Sequence, residues 1–389
     1  MTTLVVTNDF PPRIGGIESF VAQACRFLDD DVAVLTSTAP GSAPGDAAAR
    51  YPIERLPGPL LPTPAVGAAA ADLLRRSGAD RVLFGAAAPL ALLAPTLRAA
   101  GAERVVALTH GHETWWATLP GSRALLRRIG DEVDVLTTIS DYVTARISPV
   151  LSPAGRAKLV RLPPPVELDV FRPERPISGA TTTNVGEIGT EVGPARVIGV
   201  GRMVRRKGFD TLVRAWGRVP AAARRAAGGE TSAELVLVGD GPERTRLERL
   251  VRREQITGVT FTGALGRAGV LAELRRSRAF ALPYRSRLGG LDPEGLGLAT
   301  LEAAACGLPV VVGRSGGAPE TVRHGRTGYV VAPDDPDELA ARLGDLLADS
   351  DHARALGDAG RRLVGERFGA GQARRVLRAA LGLADVATV

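Results

Sequence analysis

The sequence predicts an α/β protein built as two doubly wound, parallel-sheet halves. Three observations predict it. The chain has 389 residues, more than one hydrophobic core commonly supports. Short β-branched runs alternate with helical stretches, the mark of parallel layers. The alternation also stops and restarts across residues 174–195, a polar stretch bounded by prolines with Thr181, Thr182 and Thr183 in succession.

In the first half, Leu4–Thr7, Val32–Thr36, Val82–Phe84, Val105–Leu108 and Val135–Ile139 read as strands, being short, apolar and rich in branched residues. Ile17–Leu28, Ala68–Ser77, Leu90–Ala100, Arg123–Ile129 and Asp141–Ile147 read as helices between them. The second half repeats the scheme, with strands at Arg196–Val200, Glu234–Val238, Val259–Phe261, Ala279–Leu282, Val310–Val312 and Gly328–Val331. A helical block follows from Pro336 to the C-terminus. The expected domains are 1–173 and 196–389, with 174–195 as linker or insertion. Two such halves place a ligand crevice at the C-terminal ends of their strands.

With 45% apolar and 23% charged residues, the composition is that of a soluble globular chain. Met1 runs almost directly into a strand, so no secretion leader is expected. The uncharged stretch Val82–Leu97 contains Pro89 and Pro95 and falls short of the ~18 apolar residues a membrane span requires. Cys25 and Cys306, the only cysteines, sit in apolar helical patterns and read as small buried hydrophobes of a reducing cytoplasm. The net charge of +7 suits anionic small molecules or lipid surfaces. Without a basic stripe interleaved with aromatics, nucleic acid is demoted as a partner. Lys158 and Lys207 are the only lysines in an arginine-rich chain, which draws attention to the motif holding Lys207.

Four segments carry candidate chemistry. Thr7–Glu18 ends a strand, passes two prolines and opens a helix at Gly15-Gly16. A helix start with glycines lets a phosphate approach backbone N–H groups, but a tight turn with no ligand fits equally well. It is neither a dinucleotide fingerprint nor a Walker loop. Thr109–Trp116 places His110, His112 and Glu113 directly after a strand. A zinc site needs three ligands and only His324 and His352 remain elsewhere, so we expect no metal there. The remaining readings are a hydrogen-bonded structural turn, or a histidine acting on a substrate hydroxyl.

Gly201–Asp210 follows the first strand of the second half, and Arg202 and Lys207 can converge on one diphosphate from the two ends of its loop. The alternative is a solvated basic turn. Leu288–Ala303 is a glycine-rich loop entering a helix, with Glu294 expected at its start and Glu302 two turns inside. Eight helical residues separate the carboxylates by about 12 Å, the span from a ribose across a diphosphate to a hexose. The N–H groups around Gly295, Gly297 and Leu298 then face the phosphates between. Asp349-Ser350-Asp351 spells a metal-binding pattern but reads as a helix cap.

Together with Val236–Pro242 and Gly313–Glu320, these segments make the chain resemble the retaining glycosyltransferases of GT-B fold in the large family numbered four. His110–Trp116, Arg127–Asp134 and Arg287–Leu291 resemble, more narrowly, the actinobacterial GDP-mannose-dependent phosphatidylinositol monomannoside mannosyltransferases. The resemblance implies two Rossmann-like domains facing a central cleft. Residues 1–173 would bind acceptor, the last helix would pack back on them, and 196–389 would hold the nucleotide-sugar donor.

It further implies that Arg202 and Lys207 bind the diphosphate, Glu302 the ribose and Glu294 the sugar hydroxyls. Gly15 and Gly16 would approach the phosphates, His110 would lie beside the transferred sugar, and Gly263 and Leu265 would contact the base through backbone. Such enzymes need no metal or cofactor and retain anomeric configuration by front-face displacement. The implied partners are GDP-mannose and a glycolipid or small-molecule acceptor. The implied location is the cytoplasm, with peripheral contact at the inner face of the membrane.

Arg123, Arg127 and Arg128 with Leu125, Leu126 and Ile129 would then form an amphipathic helix for anionic lipid, or simply a solvated face. Two features depart from the resemblance: the length of 174–195, and Asp292-Pro293 where an apolar pair is expected before Glu294. The rival readings are the same machinery with another donor or a soluble natural-product acceptor, and a catalytically silent nucleotide-sugar-binding protein.

Overall fold

A computed structural model describes residues 2–13, 15–173, 195–228 and 232–383, so the expected linker falls outside the described residues except for Ala195. The chain divides into two compact units, residues 1–165 with 370–389, and residues 166–369.

Among the described residues the first unit holds seven strands: β1 Thr3–Thr7, β2 Val32–Ser37, β3 Ile53–Leu56, β4 Arg81–Phe84, β5 Arg104–Ala107, β6 Val135–Thr138 and β7 Leu159–Arg161. They are all parallel, in the order β3-β2-β1-β4-β5-β6-β7. The central strands are buried on both faces, which is why Leu4, Val5, Val34, Leu83 and Val106 form an uninterrupted apolar layer. Strands β3 and β7 lie at the two edges and are only half-buried, so neither shows the apolar run that marks the other five.

The second unit repeats the plan, its described residues forming six parallel strands: β8 Arg196–Val200, β9 Glu234–Val238, β10 Val259–Gly263, β11 Ala279–Leu282, β12 Val310–Gly313 and β13 Gly328–Val331. Their order is β10-β9-β8-β11-β12-β13. In both sheets the strand order reverses beside the first strand, between β1 and β4 and between β8 and β11. Loops leaving the C-terminal ends at such a reversal diverge and open a crevice. The glycine, histidine and lysine motifs all leave their sheets at or next to these reversals.

Helix ends follow their capping chemistry. The helix Pro64–Ser77 starts four residues before the expected Ala68, because the Thr63 hydroxyl accepts from Val66 N and Pro64 occupies the first turn. The expected helix Leu90–Ala100 is a 3₁₀ turn, Leu90–Leu93, continued by the helix Ala94–Ala99. The C-terminal block resolves into the helices Pro336–Ala348, Ser350–Phe368 and Ala370–Ala380. Asp349 caps the second of these, accepting from His352 N at 2.9 Å, so the Asp-Ser-Asp turn is a helix cap.

The helix Ala370–Ala380 belongs to the first unit. Ala373, Leu377, Ala380 and Leu381 join the core around Phe20, Val21, Ala24 and Val34. Arg378 and Arg374 pair with Asp29, and Arg81 and Arg104 donate to the carbonyls of Leu381 and Ala380. The chain enters and leaves the second unit side by side, Val166 N donating to Phe368 O at 2.8 Å beside a parallel bridge from Val166 to Gly369. Cys25 and Cys306 are free and buried, and burial pushes each thiol up to about 12. Among the described residues no helix is long and apolar enough to cross a membrane.

Candidate functional site

Two groups of residues stand at the sheet reversals, one in each unit. In the second unit the loop after β8 carries exposed Arg202, buried Met203 and a 3₁₀ turn, Arg205–Lys207. It is held from both sides. Met203 N donates to Asp240 O of the Val236–Pro242 turn, and Arg285 N donates to Arg206 O. Gly208 is left-handed (φ 73°), and a Cβ there would overlap the carbonyl of Pro283 beyond β11, so glycine alone fits.

This loop delivers Lys207 to Glu294. Nζ lies 2.9 Å from Oε2, and the ammonium stands 4.9 Å from the Tyr284 ring, a cation–π contact. Tyr284 is buried with its hydroxyl 3.1 Å from Thr300 Oγ1. Burial, then the charge of Glu294, keeps its pKa well above the ordinary tyrosine value. Arg206 pairs with Asp292 at 3.1 Å and approaches Glu294 at 3.9 Å. The residue that departs from the family resemblance therefore has a partner, since Asp292 neutralises a cation next to Lys207.

Glu294 is fixed through its backbone. Gly317 N donates to Glu294 O at 2.9 Å, and left-handed Gly316 (φ 58°) packs so closely that a Cβ would overlap that carbonyl. The Gly313–Glu320 motif thus works as the seat of Glu294.

One expectation is corrected here. The helix begins at Leu298, with Gly297 as a left-handed N-cap (φ 96°). Glu294 lies four residues before it and Glu302 in its second turn. The seven intervening residues do not rise as one helix, and the helical basis for a spacing of about 12 Å is lost because Gly295, Leu296 and Gly297 form a loop. The Glu302 carboxylate makes no hydrogen bond or ion pair among the described residues. Burial pushes its carboxyl up to about 7, with Arg267 pulling it down and Glu167 pushing it up.

Arg202 is the expected site cation that the ion-pair cluster does not include. It is exposed and makes no ion pair among the described residues. Gly263 ends β10 in a left-handed conformation (φ 79°) and accepts from Gly239 N, while Leu265 follows, half-buried. Sequence reasoning missed Arg206 and Tyr284. The run Arg205-Arg206 beside Lys207 was the available signal for the first, and nothing in the sequence singled out the second.

In the first unit, Gly15 is the extended N-cap of the helix Gly16–Phe27, and Glu18 folds its carboxylate over that helix start. His110, after β5, has Nε2 2.6 Å from Gly85 O, after β4. A carbonyl only accepts, so Nε2 carries the proton. Burial lowers the His110 pKa, an effect that Glu113 only partly offsets. The ring is therefore neutral and its Nδ1 is an acceptor. The Phe20 ring packs perpendicular to it with centroids 5.8 Å apart.

Glu113 is fully buried and holds the turn together. Its Oε2 accepts from His110 N and Gly111 N, each at 3.0 Å, and its Oε1 lies 3.4 Å from His112 Nε2. The Glu113 carboxylate was visible in the motif, but its function as a backbone acceptor was not. The amphipathic helix expected at Arg123–Ile129 spans Pro120–Glu132 and spends its apolar stripe on the core, since Leu126 and Ile129 have no exposed surface. Leu125 remains exposed beside Arg123, Arg127 and Arg128.

Comparison with known proteins agrees with this architecture. Residues 14–170 match the family described as Glycosyltransferase Family 4, and residues 182–363 match Glycosyl transferases group 1. The chain is 43% identical over 370 residues, 93% of each chain, to the GDP-mannose-dependent alpha-(1-6)-phosphatidylinositol monomannoside mannosyltransferase of Mycobacterium tuberculosis. It is likewise 43% identical over 364 residues, 92% of each, to the monoacylated-substrate counterpart of Corynebacterium glutamicum. Among solved structures, Anabaena Alr3699/HepE in complex with UDP and glucose aligns with a TM-score of 0.78 at 17% identity, covering 98% of this chain and 99% of that one. Sucrose-phosphate synthase from Thermosynechococcus elongatus aligns with a TM-score of 0.73 at 22% identity, covering 96% and 97%. At these identities the two structures establish the shared fold.

Proposed function

The chain belongs to glycosyltransferase family 4, with the two Rossmann-like domains of the GT-B fold, and on that premise we propose that it transfers mannose from GDP-mannose to phosphatidylinositol monomannoside. The observation that carries this reading is the 43% identity, sustained over 93% of both chains, to a transferase of that donor and acceptor.

In this reading Lys207 and Arg202 neutralise the donor diphosphate, Arg202 being exposed and without an ion pair among the described residues. The Lys207–Glu294 pair opens as the diphosphate arrives, leaving Glu294 to accept from sugar hydroxyls. Glu302 takes the ribose hydroxyls, and its unpartnered carboxylate supports that role. The N–H groups of Gly295, Gly297 and Leu298 face the phosphates, and Gly263 and Leu265 contact the base. From the first unit, Gly15 and Gly16 approach the phosphates, and neutral His110 offers Nδ1 to a hydroxyl of the transferred sugar.

The reaction proceeds without metal and with retention. The anomeric carbon–oxygen bond to the diphosphate breaks as the acceptor hydroxyl attacks the same face, and a diphosphate oxygen takes the hydroxyl proton. A lipid acceptor brings the enzyme to a membrane. Trp115, Leu119 and Leu125, 44%, 59% and 40% exposed, with Arg123, Arg127 and Arg128, form the first unit's surface for it.

The test is a metal-free donor screen by calorimetry, followed by assay of mannose transfer to phosphatidylinositol monomannoside. Selective binding of GDP and GDP-mannose with transfer supports the reading. Preference for UDP or ADP sugars discards the donor, and transfer only to soluble acceptors discards the lipid.

A further inference from the structure

The segment from Arg287 to Asp292 is a closed knuckle that holds two leucines out in solvent. Leu288 is 69% exposed, more than any other large apolar side chain among the described residues, and Leu291 is 42% exposed. Slack does not explain this exposure. The knuckle is shut by Arg287 N donating to Asp292 O and Asp292 N to Arg287 O, each at 3.2 Å, with Gly290 N and Leu291 N also donating to Arg287 O. Its base is riveted on both sides. Asp292 pairs with Arg206, Arg285 pairs with Asp210 and Asp334, and the Ser286 hydroxyl lies 2.8 Å from that of Ser315.

Leu288 itself is left-handed (φ 51°), a conformation a branched side chain adopts only under constraint, and Gly289 and Gly290 continue it at 65° and 92°. The backbone is thus bent so that both leucines point away from the core. At the neck of the knuckle Arg287 is half-buried, and its guanidinium has no hydrogen bond or ion pair among the described residues. It lines a cavity of about 380 Å³ together with Arg205, Arg246, Arg285, Asp210 and Ser286. Of these, Arg205, Arg246 and Arg285 already have acidic partners, which leaves Arg287 as the unspent charge.

Two rigidly presented leucines above an unspent cation fit an amphiphile that is apolar beyond an anionic head. We propose that the knuckle is a membrane contact of the second unit: Leu288 and Leu291 enter the interfacial layer of an anionic phospholipid bilayer while Arg287 meets its phosphates. The contact is independent of the Trp115 surface and lies two residues before Glu294. It rests on the lipid-acceptor reading only for its purpose, because such a contact brings the donor-binding unit to the layer that presents the acceptor.

The test is co-sedimentation of the full chain with vesicles, without donor. Vesicles of phosphatidylglycerol mixed with phosphatidylcholine are compared with phosphatidylcholine alone. The Leu288→Ser/Leu291→Ser variant is expected to bind anionic vesicles at least ~10-fold more weakly, the scale of losing two partly inserted leucines. Arg287→Ala is expected to lose most of the preference for anionic over neutral vesicles. Unchanged thermal stabilisation of each variant by GDP shows that the chain is folded with its donor site intact.

Wild-type binding by the double leucine variant overturns the proposal and leaves membrane contact, if any, to the Trp115 surface. A shift in the monomer–dimer equilibrium on the same substitution, with vesicle binding unchanged, overturns it in favour of a second copy of the chain. Transfer by the wild type to water-soluble deacylated phosphatidylinositol monomannoside reports separately on the enzymatic reading.

Discussion

Lys207 reaches across from the loop after β8 to Glu294, Nζ to Oε2 2.9 Å, with side chains only 15% and 11% exposed. The pair sets cation and carboxylate together where the sugar–diphosphate is proposed to bind. Each charge is held by the other. Substituting either leaves its partner in a poorly solvated place.

Lys207→Ala is therefore expected to lower turnover at least ~100-fold, the scale of removing one charge-stabilising donor. It should also destabilise the fold by about 1–3 kcal/mol, because Glu294 loses its nearest cation and keeps only Arg206 at 3.9 Å. Initial rates and urea unfolding on the same preparation check both. Near-normal turnover would remove Lys207 from the mechanism.

Glu302 predicts a pH dependence of stability. Its folded pKa is raised to about 7 from an ordinary 4.5. Between those values the folded state binds more protons than the unfolded one, so its contribution is present below pH 4.5 and is lost as pH rises towards 7. Glu302→Gln should be more stable than wild type at pH 8 and lose the advantage near pH 4.5. Urea midpoints for the two proteins across that range measure the difference, and parallel curves would deny the raised pKa.

His110 has the opposite sign. Its pKa is lowered, so it contributes stability above the ordinary value of 6.5 and loses it as pH falls through the folded value. Replacing Glu113 tests how the ring is held. Glu113→Ala strips the acceptor from two backbone N–H groups and is expected to cost about 1–3 kcal/mol and to impair transfer. Glu113→Gln keeps one carbonyl acceptor and should recover part of both. Because the Glu113 charge raises the His110 pKa, the glutamine variant should also titrate His110 at lower pH, read from its ring proton resonances.

Two glycine substitutions separate strain from overlap. Gly289→Ala meets nothing within 4 Å and carries only the cost of a left-handed alanine, about 1–2 kcal/mol. Gly316→Ala has the same strain plus collision with the Glu294 carbonyl, and should displace Glu294 as well as destabilise. Thermal unfolding with GDP-mannose turnover distinguishes them, the second variant losing activity out of proportion to stability.

Much of the fold was legible because buried parallel strands must be apolar on both faces, and Leu4–Thr7 and Val310–Val312 advertise that. Strands β3 and β7 escaped because edge strands need only half the burial. The ion-pair cluster was legible where a rare lysine survived among arginines, whereas the demand for glycine at Gly208 and Gly316 shows only in the folded backbone. The start of the helix after Glu294 was misplaced because sequence spacing does not reveal where a helix begins. Asp292 looked anomalous because its partner, Arg206, lies 86 residues away in the chain.

The return of Ala370–Ala380 to the first core makes the second unit a guest inside the first, entered and left through the adjacent Val166 and Gly369. On the ribosome this imposes an order of events. The first sheet emerges early, yet the helix that covers Phe20, Val21 and Ala24 is translated only after the roughly two hundred residues of the guest. At ordinary elongation rates that gap lasts about 10–40 s, long enough for a small domain to fold. The nascent first unit therefore waits through that gap with part of its apolar surface uncovered. Any holding factor in the cell would act on that N-terminal intermediate.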